Sequence, residues 1–167
     1  MTPEDVLLDA FNRIRSLVPT VVDGLDVEQL TTRLDDRANS IAWLVWHLSR
    51  VQDSHVADAG GFGEVWEDDG WRERFGLELP PDDTGYGHSA DDAGKVRTTA
   101  ELLTGYHAAV AARTEPFVSG LAPEDLDRVV DESWSLPVTL GVRLVSVVAD
   151  CLQHVGQAAF VRGCLGA

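Results

Sequence analysis

The sequence predicts an all-α protein, a four-helix bundle with a long crossover between its second and third helices. Four separate stretches repeat apolar residues at helical spacing. No stretch carries a convincing strand alternation. A glycine- and acid-rich segment from Gly60 to Val96 separates the middle two helical stretches. Four long helices without a sheet bury their apolar stripes most simply as a bundle.

The first helix is read from Thr2 to about Val22. Thr2 suits the N-cap, Pro3 the first helical position, and Glu4 and Asp5 the positive helix end. Val6, Leu7, Ala10, Phe11, Ile14, Leu17, Val18 and Val21 recur at helical spacing, and Pro19 predicts a kink or an early end. Asp26 to Arg33 reads as a short helical turn. The second long helix starts at Asn39 or Ser40, runs to about Ala59 and is stopped by Gly60-Gly61. Ser40, Trp43, His47, Val51 and Ser54 form one stripe along it.

The segment from Gly60 to Val96 reads as a crossover that covers the body. Trp66, Trp71, Phe75 and Tyr86 are expected to pack it down, and a connector of this length in a small protein is usually functional, disordered or a crossover. The third helix runs from about Thr98 to Ser119. A connector with a helical turn at Pro123-Leu126 follows. The fourth helix is read from Pro137 or Val138 to Leu165.

At 167 residues the chain is expected to form a single domain, residues 1–167. Its formal net charge of −15 argues against nucleic acid and anionic lipid as partners. No apolar run reads as a membrane span and the start lacks a signal-peptide pattern, so a cytoplasmic location is expected. Cys151 and Cys164, on one continuous helix, lie roughly 20 Å apart. That exceeds the reach of a disulfide, about 7 Å between Cα atoms, so both thiols are expected to be free. Arg outnumbers Lys, with Lys95 the single lysine.

Asp150 and His154 carry the most specific spacing. Four apart on a helix, they sit on one side, one turn from each other. His47 from a second helix would complete a His/Asp/His set with an open fourth position, the composition of a catalytic divalent-metal site. The fourth helix is apolar almost all round, interrupted by a narrow polar stripe of Arg143, Asp150, His154 and Gln157. Two readings of that stripe stand side by side: it faces water, or it lines an internal site. His55, His88 and His107 have no partner spacing. Trp43 shares the His47 side and is the candidate pocket wall. Arg143 and Gln157, one or two turns from the ligands, are candidates for substrate contact, and Arg143 is equally a candidate for a salt bridge to one of the many surface acids. There is no glycine-rich phosphate loop, no Gly-x-Ser-x-Gly elbow and no His-Glu-x-x-His.

The segments Asn39-Ser40-Ile41-Ala42-Trp43-Leu44-Val45-Trp46-His47-Leu48, Arg50-Val51-Gln52-Asp53 and Asp150-Cys151-Leu152-Gln153-His154-Val155-Gly156-Gln157, with Arg162-Gly163, resemble the DinB-like superfamily of metal-binding four-helix bundles. The resemblance spans essentially the whole chain. It is closest to the actinobacterial branch that holds the mycothiol S-transferases, and similar also to mycothiol-dependent maleylpyruvate isomerase. Many members use three histidines. Here His47 matches the first and His154 the last, while Asp150 stands at the middle position, where the isomerases also carry a carboxylate.

The resemblance implies a divalent metal, zinc first among the choices, and mycothiol as the thiol cosubstrate. The expected activity is S-transfer of mycothiol to a small electrophile, in a detoxification role. The alternatives are mycothiol-dependent isomerisation and a non-enzymatic metal-binding stress-response protein. The known isomerases have a C-terminal lid domain with no counterpart here, which puts isomerisation second. A homodimer, common among relatives, is also implied.

Overall fold

The computed structural model describes all residues from Met1 to Ala167. Four long helices form its body: α1 (Pro3–Val22), α3 (Ile41–Gly60), α7 (Ala100–Ser119) and α8 (Leu140–Leu165). Between them lie the short helices α2 (Val27–Thr31), α4 (Val65–Asp68), α5 (Trp71–Phe75) and α6 (Ala90–Gly94). Packing runs in a ring: α1 touches α7 and α8, and α3 touches the same two from the other side.

Helix boundaries follow local chemistry. Thr2 and Asp5 form a reciprocal capping box at the start of α1. Ser40, Thr99 and Thr139 each accept a backbone N–H three residues on, opening α3, α7 and α8. Gly61 and Gly166 end α3 and α8 at φ of 69° and 71°, a left-handed turn that glycine adopts without strain. Pro19 does not end α1, which continues to Val22, and Asp23 N–H closes the turn on the Pro19 carbonyl at 2.9 Å.

α3 is the buried axis. Every residue from Ile41 to Asp53 is buried, including the polar Ser49, Arg50, Gln52 and Asp53. Leu44, Val45 and Leu48 pack with Leu144, Val147 and Val155 of α8 in one continuous apolar cluster. Each such side chain contributes about 1.5–3 kcal/mol by leaving water, and Leu144→Ala would cost about 2–5 kcal/mol.

The polar residues of α3 fasten the crossover. The Asp53 carboxylate accepts the Val65 and Trp66 N–H groups at 2.9 and 2.8 Å. It also accepts the Tyr106 hydroxyl at 2.8 Å. The fully buried Arg50 donates to Glu64 at 2.7 Å and to the Asp83 carbonyl at 3.0 Å, with its guanidinium 5.0 Å from the Trp66 ring. Both the beginning and the middle of the crossover are thereby tied to one helix. Trp66 and Phe75 are buried as expected, whereas Tyr86 is 92% exposed and packs nothing down.

Three features correct the sequence reading. A two-stranded antiparallel ribbon, β1 (Val129–Asp131) and β2 (Val138–Thr139), occupies the last connector. Val138 and Thr139 therefore belong to a strand and a cap, and α8 begins at Leu140. Finally, α8 is long and apolar enough, by length and composition, to cross a membrane. Here it is a bundle helix whose Leu144, Val147, Cys151 and Val155 face the core, while Val142, Val145, Leu152 and Phe160 remain exposed.

Candidate metal centre and the cavity beside it

α3 and α8 make the most extensive helix pair of the bundle, and their contact brings His47 to Asp150 and His154. One donor atom from each of the three lies within 4.8 Å of the others. His47 Nε2 is 3.9 Å from Asp150 Oδ2, and His154 Nε2 is 3.5 Å from Asp150 Oδ1. Periodicity explains the α8 half: residues i and i+4 share a face. Cys151, the intervening neighbour, points into the core and contacts the Leu48 carbonyl at 3.4 Å. Burial raises its thiol pKa well above the ordinary range.

Both histidines have their free nitrogen set by a partner behind them. His47 Nδ1–H donates to the Thr84 carbonyl at 2.5 Å. A carbonyl can only accept, so the proton is on Nδ1 and the Nε2 lone pair faces the centre. His154 Nδ1–H donates to Gln157 Oε1 at 2.8 Å, with the same consequence. Partners of this kind fix tautomer and ring orientation in metal sites.

The Thr84 carbonyl is delivered by a tight loop. Gly85 has φ of +89°, and a Cβ there would sit 2.9 Å from His47 Nδ1 and 3.0 Å from the Trp46 ring. Only glycine lets the backbone approach so closely. Asp83 holds the loop by accepting Gly85 N–H at 2.7 Å, and its other oxygen is 2.8 Å from His88 Nε2. Trp43 Nε1–H donates to His88 Nδ1 at 3.1 Å. Trp43 also stacks on His47, with ring centroids 4.5 Å apart. The ring of His47 is thus braced on one side by an indole and behind by a carbonyl.

Electrostatics match this arrangement. Burial lowers the pKa of His47, helped by the nearby His154 charge, so its imidazole is held neutral. Burial acts to raise the Asp150 pKa, but the hydrogen bond and charge of His154 outweigh it and the net shift is downward. Burial opposes the charge on His154, yet its hydrogen bonds to Asp150 and Gln157 raise its pKa overall. Asp150 Oδ2 is buried without a hydrogen-bond partner. A cation would satisfy that oxygen and the two imidazole lone pairs together, and the mixed N/O donor set suits zinc and its neighbours among divalent metals.

His47 and Asp150 also line a cavity of about 610 Å³. Val51 and Val147 are its neighbours along the two helices, and Ser54, His55, Arg143 and Ser146 lie further along. Tyr86 from the crossover and Trp134 from the β1–β2 turn form its exposed rim.

The family model of the mycothiol S-transferases matches residues 6–166. The chain belongs to the mycothiol S-transferase family. A solved structure described as the "conserved protein of locus from Enterococcus faecalis" superposes on this mycothiol S-transferase family member with a TM-score of 0.90. It is 29% identical and aligns over 97% of this chain and 96% of its own. No curated protein matches the chain.

The other sequence candidates fall in distinct places. Arg143 lines the cavity and pairs with Asp131 at 2.7 Å. Trp43 stands behind His47, braced against His88. Gln157 is behind His154, beside a separate shallow cavity with Phe160 and Val161. Thr84, Gly85 and His88 in the brace, and Asp131 and Trp134 on the cavity, were not found from sequence. No periodicity marks them, since Thr84, Gly85, His88 and Trp134 lie on loops and turns and Asp131 on a strand of only three residues. His107, also without spacing, is a core residue: its Nδ1 is 3.1 Å from Ser49 Oγ and burial lowers its pKa to about 4.

Proposed function

We propose that the protein is a metal-dependent S-transferase, joining mycothiol to small electrophiles in the cytoplasm. The observation that carries this reading is the convergence of His47 Nε2, His154 Nε2 and the unpartnered Asp150 Oδ2 at the edge of a cavity. His47, Asp150 and His154 would hold the cation, with zinc the first choice. A divalent cation so held lowers the pKa of a thiol and keeps its sulfur as thiolate at neutral pH.

The remaining work belongs to the chain. Thr84 and Gln157 keep both imidazoles in the tautomer that presents Nε2. Trp43, only 6% exposed, excludes water from one side of His47. The cavity admits the thiol and an electrophile next to it and holds them in reacting distance. In the transfer the thiol proton leaves to solvent, a sulfur–carbon bond forms, and the leaving group departs with its electron pair.

The test is conjugation of mycothiol to a bimane or chlorinated aromatic, with metal content measured on the same sample. Metal-loaded protein should accelerate the reaction, and metal-free protein and His47→Ala should lose most of the rate. Equal rates with and without metal would refute the reading.

A further inference from the structure

The outer face of α8 has a composition that the bundle does not explain. Twelve residues of this helix are exposed and none of the twelve is charged, in a chain with 25% charged residues. The three charged residues of α8 are half-buried and engaged within the chain: Arg143 with Asp131, Asp150 in the metal centre, and Arg162 on the Asp23 carbonyl. The outward side of a bundle helix ordinarily carries charge, and a contiguous apolar surface marks a place of contact.

Val142, Val145, Ala149, Leu152, Gly156, Ala159 and Gly163 of this face fall alternately three and four apart, the spacing of a seam between two helices. Phe160, 67% exposed, stands beside them. Gly156 and Gly163 lie within α8, where glycine is unfavourable. A Cβ at either position would meet nothing within 4 Å, so the chain's own packing does not call for glycine there. A neighbour outside the chain would.

The stripe is graded in size. Two valines stand at its start, Leu152 near its middle, and Gly156, Ala159 and Gly163 towards its end. A second α8 laid antiparallel about Leu152 sets the valines of each copy over the small residues of the other, with Phe160 over Val145 and Ala149. A parallel pairing would crowd valine on valine at one end and leave a gap between glycines at the other. Charge obeys the same symmetry. Asp9 and Arg13 of α1 share a shallow groove with Leu152 and are exposed one turn apart. Reversing the direction of one copy brings its Asp9 to the Arg13 of the other.

We propose that this face of α8 is a two-fold interface that joins a second copy of the chain through antiparallel α8 helices. With a formal charge of −15 on each copy, close contact is favourable only through an uncharged face.

Sedimentation equilibrium of the full chain at micromolar concentration should give twice the 18.1 kDa chain mass. Leu152→Glu and Phe160→Glu, both at exposed positions, should each raise the dimer dissociation constant more than about a hundredfold, with helical circular dichroism unchanged. Gly156→Leu, which favours the helix and meets nothing inside the chain, should weaken the dimer as well. Leu136→Glu, at an exposed apolar position away from α8, should leave it intact. A short bis-maleimide reads the direction of the helices, because Cys164 is the one exposed thiol and about 33 Å of helix separates it from Val142. The unaltered chain should not cross-link. Val142→Cys should, through Cys164 of the second copy, and Val142→Cys combined with Cys164→Ser should not. Cross-linking of the unaltered chain, a dimer insensitive to all three α8 substitutions, or a chain that stays monomeric overturns the proposal. A monomer that floats with phosphatidylcholine vesicles would assign the face to lipid instead.

Discussion

α8 and the crossover both serve His47, in opposite ways. α8 supplies Asp150 and His154 through the spacing of one helical turn, a relation written in five consecutive residues. The crossover supplies the Thr84 carbonyl, the Gly85 approach and the His88 contact to Trp43, all from residues 37 to 45 positions away from their partners. Helix periodicity is local, so the ligands on α8 are fixed by backbone geometry alone. The crossover is placed by buried charges on α3, with Arg50 holding the Asp83 carbonyl and Asp53 capping α4. A change on α8 should therefore remove a ligand, whereas a change in the crossover should leave the ligands and loosen their aim.

The largest effect is expected on the α8 side. His154→Ala should abolish stoichiometric metal binding, a loss of more than about a hundredfold in affinity, read by competitive chelator titration. Gly85→Ala should come next. Its Cβ cannot fit beside His47 and its positive φ is strained for alanine, so unfolding free energy should drop by about 1–3 kcal/mol. Metal affinity should fall about ten- to a hundredfold as the Thr84 carbonyl moves off Nδ1. Gly85→Ala with metal affinity unchanged would show that the brace is dispensable.

A smaller effect is expected for His88→Ala. It leaves Trp43 Nε1 and Asp83 Oδ2 without their partner, costing about 1–2 kcal/mol in a denaturant melt. Metal affinity should change by only a few-fold, because His88 contacts no ligand donor atom. Loss of metal on His88→Ala comparable to that of His154→Ala would erase the distinction between the two regions.

These differences mark what was legible in the sequence. The four helices, their Ser40 and Thr2 caps and the Asp150–His154 spacing follow from short-range rules. Joining His47 to that pair rested on the family resemblance of the segment around it, because the packing of α3 on α8 is not a short-range property. Nothing local distinguishes Thr84 as a partner, since it acts through its carbonyl and every residue has one. Gly85 looks like any other glycine of that segment until the rings of His47 and Trp46 are placed against it. The β1–β2 ribbon escaped for a related reason: its strands are too short to alternate, and their pairing carries Asp131 and Trp134 to the cavity.

pH sharpens the comparison more gently. The folded pKa of His154 is raised above 6.5 by Asp150 and Gln157. In metal-free protein this pair contributes stability that is complete below the unfolded value and is lost as pH rises through the folded one. Metal needs the neutral imidazole, so its binding follows the opposite sign and strengthens through the same window. His47, lowered by burial and donating to Thr84, competes little there. The metal-induced rise in Tm should grow as pH climbs through the raised folded value of His154 and flatten above it. A rise independent of pH would mean that His154 is not a ligand.

The central claim is that His47, Asp150 and His154 leave one coordination position for a thiol. X-ray absorption at the zinc edge, taken before and after adding mycothiol, tests it directly. The expected result is a shell of nitrogen and oxygen scatterers at about 2.0–2.2 Å, joined after addition by one sulfur at about 2.3 Å. His154→Ala should give no ordered zinc shell. A nitrogen and oxygen shell unchanged by mycothiol, in protein whose conjugation activity is intact, would contradict the account.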